Sequence, residues 1–199
     1  MKDTRYRTIV ADPPWAYDEG FIHGALPGWR KRKAVGEPNR DIARSSRKRL
    51  PFPTLSVSEI AALPIGDLAE PNAALFLWTT NRYLPDSFRV MEAWGFVYKQ
   101  ILVWNKVGNA SPFTGSIAPN TAEFLLVGKR GKHSWTQRAS SSVLSISRTR
   151  HSKKPEAFLD LIEASSPGPY LELFARRQRL GWDSWGNECL EHVEMDGAA

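Results

Sequence analysis

Asp12-Pro13-Pro14-Trp15 follows directly on the apolar run Ile9-Val10-Ala11. An acid, two prolines and an aromatic at the mouth of a short strand can hold a planar, amine-bearing base while its nitrogen is methylated. The prolines fix their own φ angles and carry no N–H, so the turn is stiff and its carbonyls are free to accept. The proline pair also pushes Asp12 and Pro13 toward extended backbone. Asp12 offers carboxylate lone pairs and the neighbouring Pro13 carbonyl offers more. Trp15 offers a flat face on which a base can stack, worth about 1–3 kcal/mol. The plainer alternative is a surface turn after an edge strand. The full tetrapeptide, behind a strand this close to the N-terminus, favours the chemical reading.

The elements that would position this corner follow from periodicity. Tyr6–Ala11 reads as a strand ending at Asp12. Residues 18–53 carry no helical or strand period and are broken by Gly20, Gly24, Pro27, Gly28, Gly36 and Pro38, so they read as one long loop. Ser56-Val57-Ser58-Glu59 has capping-box spacing and predicts a helix to about Leu63. Ala73–Trp78 is a continuous apolar run, as expected of a buried parallel strand. Arg82–Trp94 has near-helical spacing and ends at Gly95, a C′ glycine. Phe96–Trp104 and Phe124–Val127 read as strands, Val143–Ile146 as a short one. Pro155–Glu163 suits a helix with proline in its first turn. Tyr170–Phe174 reads as the final core strand. Strands alternating with helices predict a single α/β domain over residues 1–199, Rossmann-like, with a mostly parallel sheet and helices on both faces. In such sheets ligands bind beyond the carboxyl ends of the strands. Asp12, Thr79-Thr80-Asn81 and Ala175-Arg176 stand at such ends. Trp78, Trp94 and Trp104 lie in or beside apolar runs and are expected in the core.

Charge narrows the partners. The 199 residues carry a formal net charge of +6, with 42% hydrophobic and 24% charged residues. Much of the excess sits in the long loop: Arg30, Lys31, Arg32, Lys33, Arg40, Arg44, Arg47, Lys48 and Arg49 stand against only Glu37 and Asp41. Such a run is often a solvated face, but its place beside the acidic corner favours contact with a polyanion. The single Cys189 excludes an internal disulfide and a cysteine-based zinc site. His133 and His151 have no partners at metal-ligand spacing, so no metal is expected. Walker and dinucleotide glycine loops are absent. With no apolar N-terminal leader and no run long enough to span a bilayer, the expectation is a cytoplasmic protein with no membrane partner.

Taken together, the segments resemble the adenine-N6 methyltransferases related to the catalytic subunit of the eukaryotic mRNA adenosine methyltransferase, in a bacterial or phage form. The resemblance runs from about Tyr6 to Glu188. Beyond Ala11–Trp15 it rests on Pro53-Thr54-Leu55-Ser56, Leu75–Asn81, Trp94-Gly95-Phe96, Trp104-Asn105-Lys106, Glu123 before Leu126-Val127-Gly128, His151–Glu156, Glu172–Arg176, and Gly181-Trp182 to Trp185-Gly186-Asn187. It implies a permuted methyltransferase fold, with the catalytic motif ahead of the strand that binds S-adenosylmethionine (SAM).

It also implies roles. Asp12, Pro13, Pro14 and Trp15 would form the catalytic corner, with Asp12 near the methionyl end of SAM. Lys154 would meet the methionyl carboxylate. Arg176 and Asn187 would contact the ribose and adenosine end, with Glu172, Phe174 and Glu188 in the same cofactor region. Glu123 would lie at the acceptor pocket; from their own chemistry and position, Trp15 and Phe52 are expected to stack on the base, Asn81 to border the pocket, and Arg30, Arg47, Lys48 and Arg49 of the basic loop to hold nucleic acid. Two positions depart from the family pattern. Phe52 stands where a tyrosine is usual, which keeps stacking but loses a hydroxyl. Glu188 replaces a glutamine and has no amide N–H to donate. The substrate expected is nucleic acid, DNA ahead of RNA. The alternatives are an RNA methyltransferase, a non-catalytic nucleic-acid-binding subunit of the same fold and a small-molecule amine methyltransferase.

Overall fold

The computed structural model describes residues 4–16, 54–108, 117–148 and 153–186. Seven strands form one sheet in the order β5-β3-β4-β2-β1-β6-β7. These are β1 (Tyr6–Ala11), β2 (Ala69–Thr79), β3 (Val97–Val107), β4 (Ala122–Arg130), β5 (Val143–Ser147), β6 (Tyr170–Leu173) and β7 (Trp182–Trp185). The helices are α1 (Val57–Ala62), α2 (Ile65–Leu68), α3 (Leu84–Ala93) and α4 (Glu156–Ser165). β1 runs parallel to β2 and β6, β6 to β7, and β3 to β5, whereas β4 is antiparallel to both neighbours. β4 alone is therefore reversed. The expected Rossmann-like α/β sheet is present, with that one exception to its parallel grain.

Side-chain alternation splits the core into two layers. Ile9, Ala11, Leu75, Leu77 and Leu126 face α1 and α3, meeting Ile60, Val90, Met91 and Trp94. Val10, Phe76, Trp78, Leu102 and Leu125 face α4, meeting Phe158, Leu159 and Ile162. Each such Leu, Ile or Phe contributes about 1.5–3 kcal/mol of burial. Trp78, Trp94 and Trp104 are all buried, as the apolar runs around them imply.

Local signals explain the helix ends. Ser56 caps α1: its hydroxyl accepts from the Glu59 N–H, and Glu59 returns the bond to the Ser56 N–H at 2.7 Å. After α3 the backbone turns through Gly95 at φ +80°, the left-handed region that glycine enters without strain. Two elements differ from expectation. Tyr170–Phe174 is not the last strand, because β7 adds to the sheet edge beyond it. The Ala73–Trp78 run is the inner part of a longer strand that begins at Ala69 and crosses Pro71.

At the edge of the sheet away from Asp12, buried Thr8 bonds Ser166 at 2.6 Å, and Ser166 bonds His133 Nε2 at 3.2 Å. Burial, then the nearby Lys129 charge, lowers the His133 pKa. The unfolded chain takes up a proton below about pH 6.5 that the folded state resists, so this site loses stability as pH falls through that range. His133→Asn, which cannot titrate, is expected to weaken the drop in urea midpoint between pH 7 and pH 5.5. An unchanged drop excludes His133 as its source.

Candidate active site

Six strands end, and reversed β4 begins, along one edge of the sheet. That geometry gathers Asp12 (after β1), Lys106 (end of β3), Glu123 (start of β4) and Glu172 (late in β6). Lys154 joins them from the segment leading into α4.

The acidic corner is held from several sides. The Asp12 N–H reaches the Leu173 carbonyl at 3.4 Å, tying the corner to β6. Trp15 forms a parallel bridge with Leu55, through bonds from the Leu55 N–H to the Pro14 carbonyl (3.0 Å) and from the Ala16 N–H to the Leu55 carbonyl (3.1 Å). The Trp15 ring is stacked on Tyr83 at 5.1 Å, and its indole N–H donates to the Trp78 carbonyl. The Tyr83 hydroxyl donates to the Ala16 carbonyl. Trp15 is thus 5% exposed and packed in the core. This corrects its expected use as an open stacking platform: the ring anchors the corner to α3 and β2 instead. The Pro13 carbonyl accepts the Trp15 N–H at 2.9 Å, which leaves one lone pair for another donor.

Charge alternates outward from Asp12. The Lys154 ammonium sits 2.8 Å from both Asp12 oxygens and 3.2 Å from Glu123 Oε2, and lies over the Trp78 ring at 5.3 Å. Lys106 takes the other Glu123 oxygen and lies over Trp104. Burial alone would lower the Lys154 pKa, but Asp12 and Glu123 outweigh it and hold it raised. Burial would likewise raise Glu123, but Lys154 and Lys106 outweigh it and hold it low. Both groups stay charged across the neutral range.

Glu172 behaves differently. Its Oε2 is buried with no hydrogen-bond partner among the described residues. Burial, then the Asp12 charge, pushes its pKa up to about 7, against a weaker pull from Arg179. A buried acceptor left unsatisfied costs about 1–3 kcal/mol, so it is a site that a ligand donor can repair.

Arg176 is exposed on the loop after β6. Phe174 opens that loop at φ +60°, a strained conformation for a bulky residue, with its ring against Trp185 at 5.3 Å. The loop is held close to the end of β7: a Cβ on Gly186 would lie 2.4 Å from the Ala175 carbonyl. Asn81 is exposed in the turn after β2. Phe52, Arg30, Arg47, Lys48, Arg49, Asn187 and Glu188 lie outside the described residues. The sequence alone gives Lys106 no role; the pairing of β3 with β4 brings it to Glu123. A cavity of about 480 Å³ opens elsewhere, on the α4 face between Leu102, Trp135, Arg138 and Leu161, and none of the edge groups lines it. Among the described residues there is no cluster of metal ligands, and no helix is long and apolar enough to cross a membrane.

An acid-proline corner beside paired carboxylates and ammonium groups, at the carboxyl edge of a Rossmann-like sheet, is suited to methylating an amine. The MT-A70 family model matches residues 34–188. The chain belongs to the MT-A70 family. It is an adenine-N6 methyltransferase acting on nucleic acid, the activity the sequence resemblance implied. The MT-A70 match begins after Asp12, but the similarity to individual relatives extends further. The type II methyltransferase M.MunI of Mycoplasma sp is 37% identical over 92% of this chain and 78% of its own length. The human N(6)-adenine-specific methyltransferase METTL4 is 28% identical over 96% of this chain but only 39% of its own length. The N6-methyladenosine RNA methyltransferase MTA1 of Cryphonectria parasitica is 28% identical over 88% of this chain and 59% of its own.

Proposed function

We propose that this MT-A70 protein transfers the methyl group of SAM to N6 of adenine in DNA, with the edge around Asp12 as its catalytic centre. The observation that carries the reading is the convergence of Asp12, Glu123, Lys154 and Glu172 on one rigidly held corner. SAM supplies a sulfonium-activated methyl group. The residues suit that donor: the Lys154 ammonium matches a carboxylate, and the unpartnered Glu172 carboxyl matches a hydroxyl or ammonium. Arg176, Phe174, Asn187 and Glu188 are assigned to the remainder of the donor by resemblance. Higher identity to the type II methyltransferase than to the RNA methyltransferase supports DNA as substrate.

The chain's own part in the reaction is positioning and electrostatics. The lone pair of N6 is delocalised into the ring, which makes it a poor nucleophile. Asp12 and the Pro13 carbonyl accept the N–H groups and favour the pyramidal nitrogen that attack requires. Both Asp12 oxygens accept from Lys154; a ligand carboxylate that takes up that ammonium leaves them open to N6–H. Glu123, fixed by Lys106, borders the acceptor side. N6 would take the methyl group that SAM supplies, and its surplus proton would pass to water. A base in a duplex must first be extruded, at a cost of a few kcal/mol.

The test is incubation with labelled SAM and duplex DNA, single-stranded DNA and RNA, followed by mass spectrometry of the nucleosides. The reading expects N6-methyldeoxyadenosine. Label confined to RNA overturns the DNA assignment, and label on another base overturns the adenine assignment. The basic segment is proposed to neutralise phosphates. Replacing Arg47, Lys48 and Arg49 by Ala is expected to flatten the log–log salt dependence of binding by about 0.9 per lost contact on duplex DNA. An unchanged slope and affinity remove this segment from the interface.

A further inference from the structure

The loop carrying Arg176 and the helix led by Lys154 are joined by two guanidinium groups, and Arg179 makes most of the bonds. Arg179 Nε and Nη2 grip Glu163 through both its oxygens at 2.8 and 2.9 Å. Nη2 also bonds Asp160 at 2.7 Å, and Nη1 reaches Glu156 at 3.2 Å. The three acids lie successively along α4. Glu163 accepts a further bond from the Trp182 indole at 2.6 Å, so the first residue of β7 is drawn into the same knot. Arg177 pairs with Glu156 beside it.

The Arg179 side chain is 20% exposed, while its partners range from 33% to 63%. Single pairs this exposed contribute about 0–1 kcal/mol each, whereas a bidentate guanidinium in a network holds all its partners in one geometry. A planar fork matched to carboxylates along a helix fixes orientation, which an ammonium cannot do. The Ala175 N–H bonds the Trp185 carbonyl at 3.1 Å, so the loop is tied at its start to β7 and at Arg179 to α4.

We infer that Arg179 is a positioning residue of the donor site: it locks the 174–181 loop to α4, so that Arg176 and Lys154 are presented to SAM from one rigid frame. This rests on the reading of the edge as a SAM site. Arg179 itself touches no reacting atom. Losing it leaves the Arg177–Glu156 ion pair between loop and helix and loosens the two sides of the donor site, while the Asp12 corner keeps its contacts with Leu55 and, through Trp15, Tyr83.

The test compares wild type with Arg179→Ala, Arg179→Lys and Glu163→Gln, using Arg7→Ala as a control that breaks the ion pair with Glu70 at the opposite edge. Titration calorimetry with SAM alone is expected to show Kd raised about tenfold or more in Arg179→Ala. Arg179→Lys and Glu163→Gln should fall between it and wild type, and Arg7→Ala should match wild type. In turnover, KM for SAM rises in step, while kcat at saturating SAM and KM for DNA hold. An Arg179→Ala protein that binds SAM as wild type does overturns the inference alone. So does one whose Kd shift is shared by Arg7→Ala, since the effect is then general loosening. A wild type that binds no SAM overturns the donor reading and the inference with it.

Discussion

Asp12→Ala is expected to lose at least about a thousandfold in kcat while remaining folded and still binding SAM. Truncation removes both oxygens proposed to accept from N6, and among the described residues no second carboxylate belongs to the Asp12–Trp15 turn. The corner itself is set by the Leu55 bridge and the Trp15–Tyr83 stack, neither of which uses the Asp12 side chain. Lys154 keeps Glu123 at 3.2 Å, so its charge is not stranded. Asp12→Asn should be nearly as damaged, because the amide replaces an acceptor with N–H donors facing both Lys154 and the target amine. Rates at saturating SAM and DNA, with circular dichroism to verify folding, decide it. A folded Asp12→Ala enzyme with near-normal turnover would refute this assignment.

Glu172→Gln is expected to stabilise the ligand-free protein at pH 8 and to weaken SAM binding. In the folded state burial and Asp12 lift the Glu172 pKa to about 7, above the ordinary carboxyl range. The folded state therefore holds this proton more tightly than the unfolded chain does. Stability from the group is greatest at acid pH and is lost as pH rises from about 4.5 to about 7. Above that window the buried charge costs about 3 kcal/mol, taking 1.36 kcal/mol per pH unit. A neutral amide avoids the penalty, so the variant should gain about 1–3 kcal/mol at pH 8 and little at pH 5. Denaturant unfolding at the two pH values reads this directly. Equal effects at both show that Glu172 does not titrate in the folded protein. A gain in stability with a loss of ligand binding is the pattern expected where a site keeps an unsatisfied group for its ligand.

Much of this architecture was legible because local signals and burial agreed. The Ser56–Glu59 capping box, the Gly95 stop and the apolar runs of β1, β2 and β6 each placed an element near its observed bounds. The direction of a strand was not legible. Phe124–Val127 is apolar on both faces, and such a run carries no sign of which way it travels. Its reversal is what delivers Glu123 to the same edge as Asp12, and what makes Lys106, on the adjoining strand, part of the site. β7 was not legible either, because Trp182-Asp183-Ser184-Trp185 is short and interrupted by charge. Its partner is β6, and pairing is a tertiary fact. Trp15 shows the same limit: an aromatic next to a reactive acid suits stacking on a ligand as well as stacking on Tyr83, and the sequence does not foretell the packing against Tyr83. Lys154 is legible only through its motif; the two hydrogen bonds it donates to Asp12 join residues 142 positions apart and are a tertiary fact.

The most direct measurement is a crystal structure of the protein with S-adenosylhomocysteine, the demethylated donor. The account predicts density along the carboxyl edge, with the amino-acid carboxylate at Lys154 and a hydroxyl or ammonium of the ligand on Glu172. Density in the cavity beside Trp135 and Arg138, with the Asp12 edge empty, would contradict it.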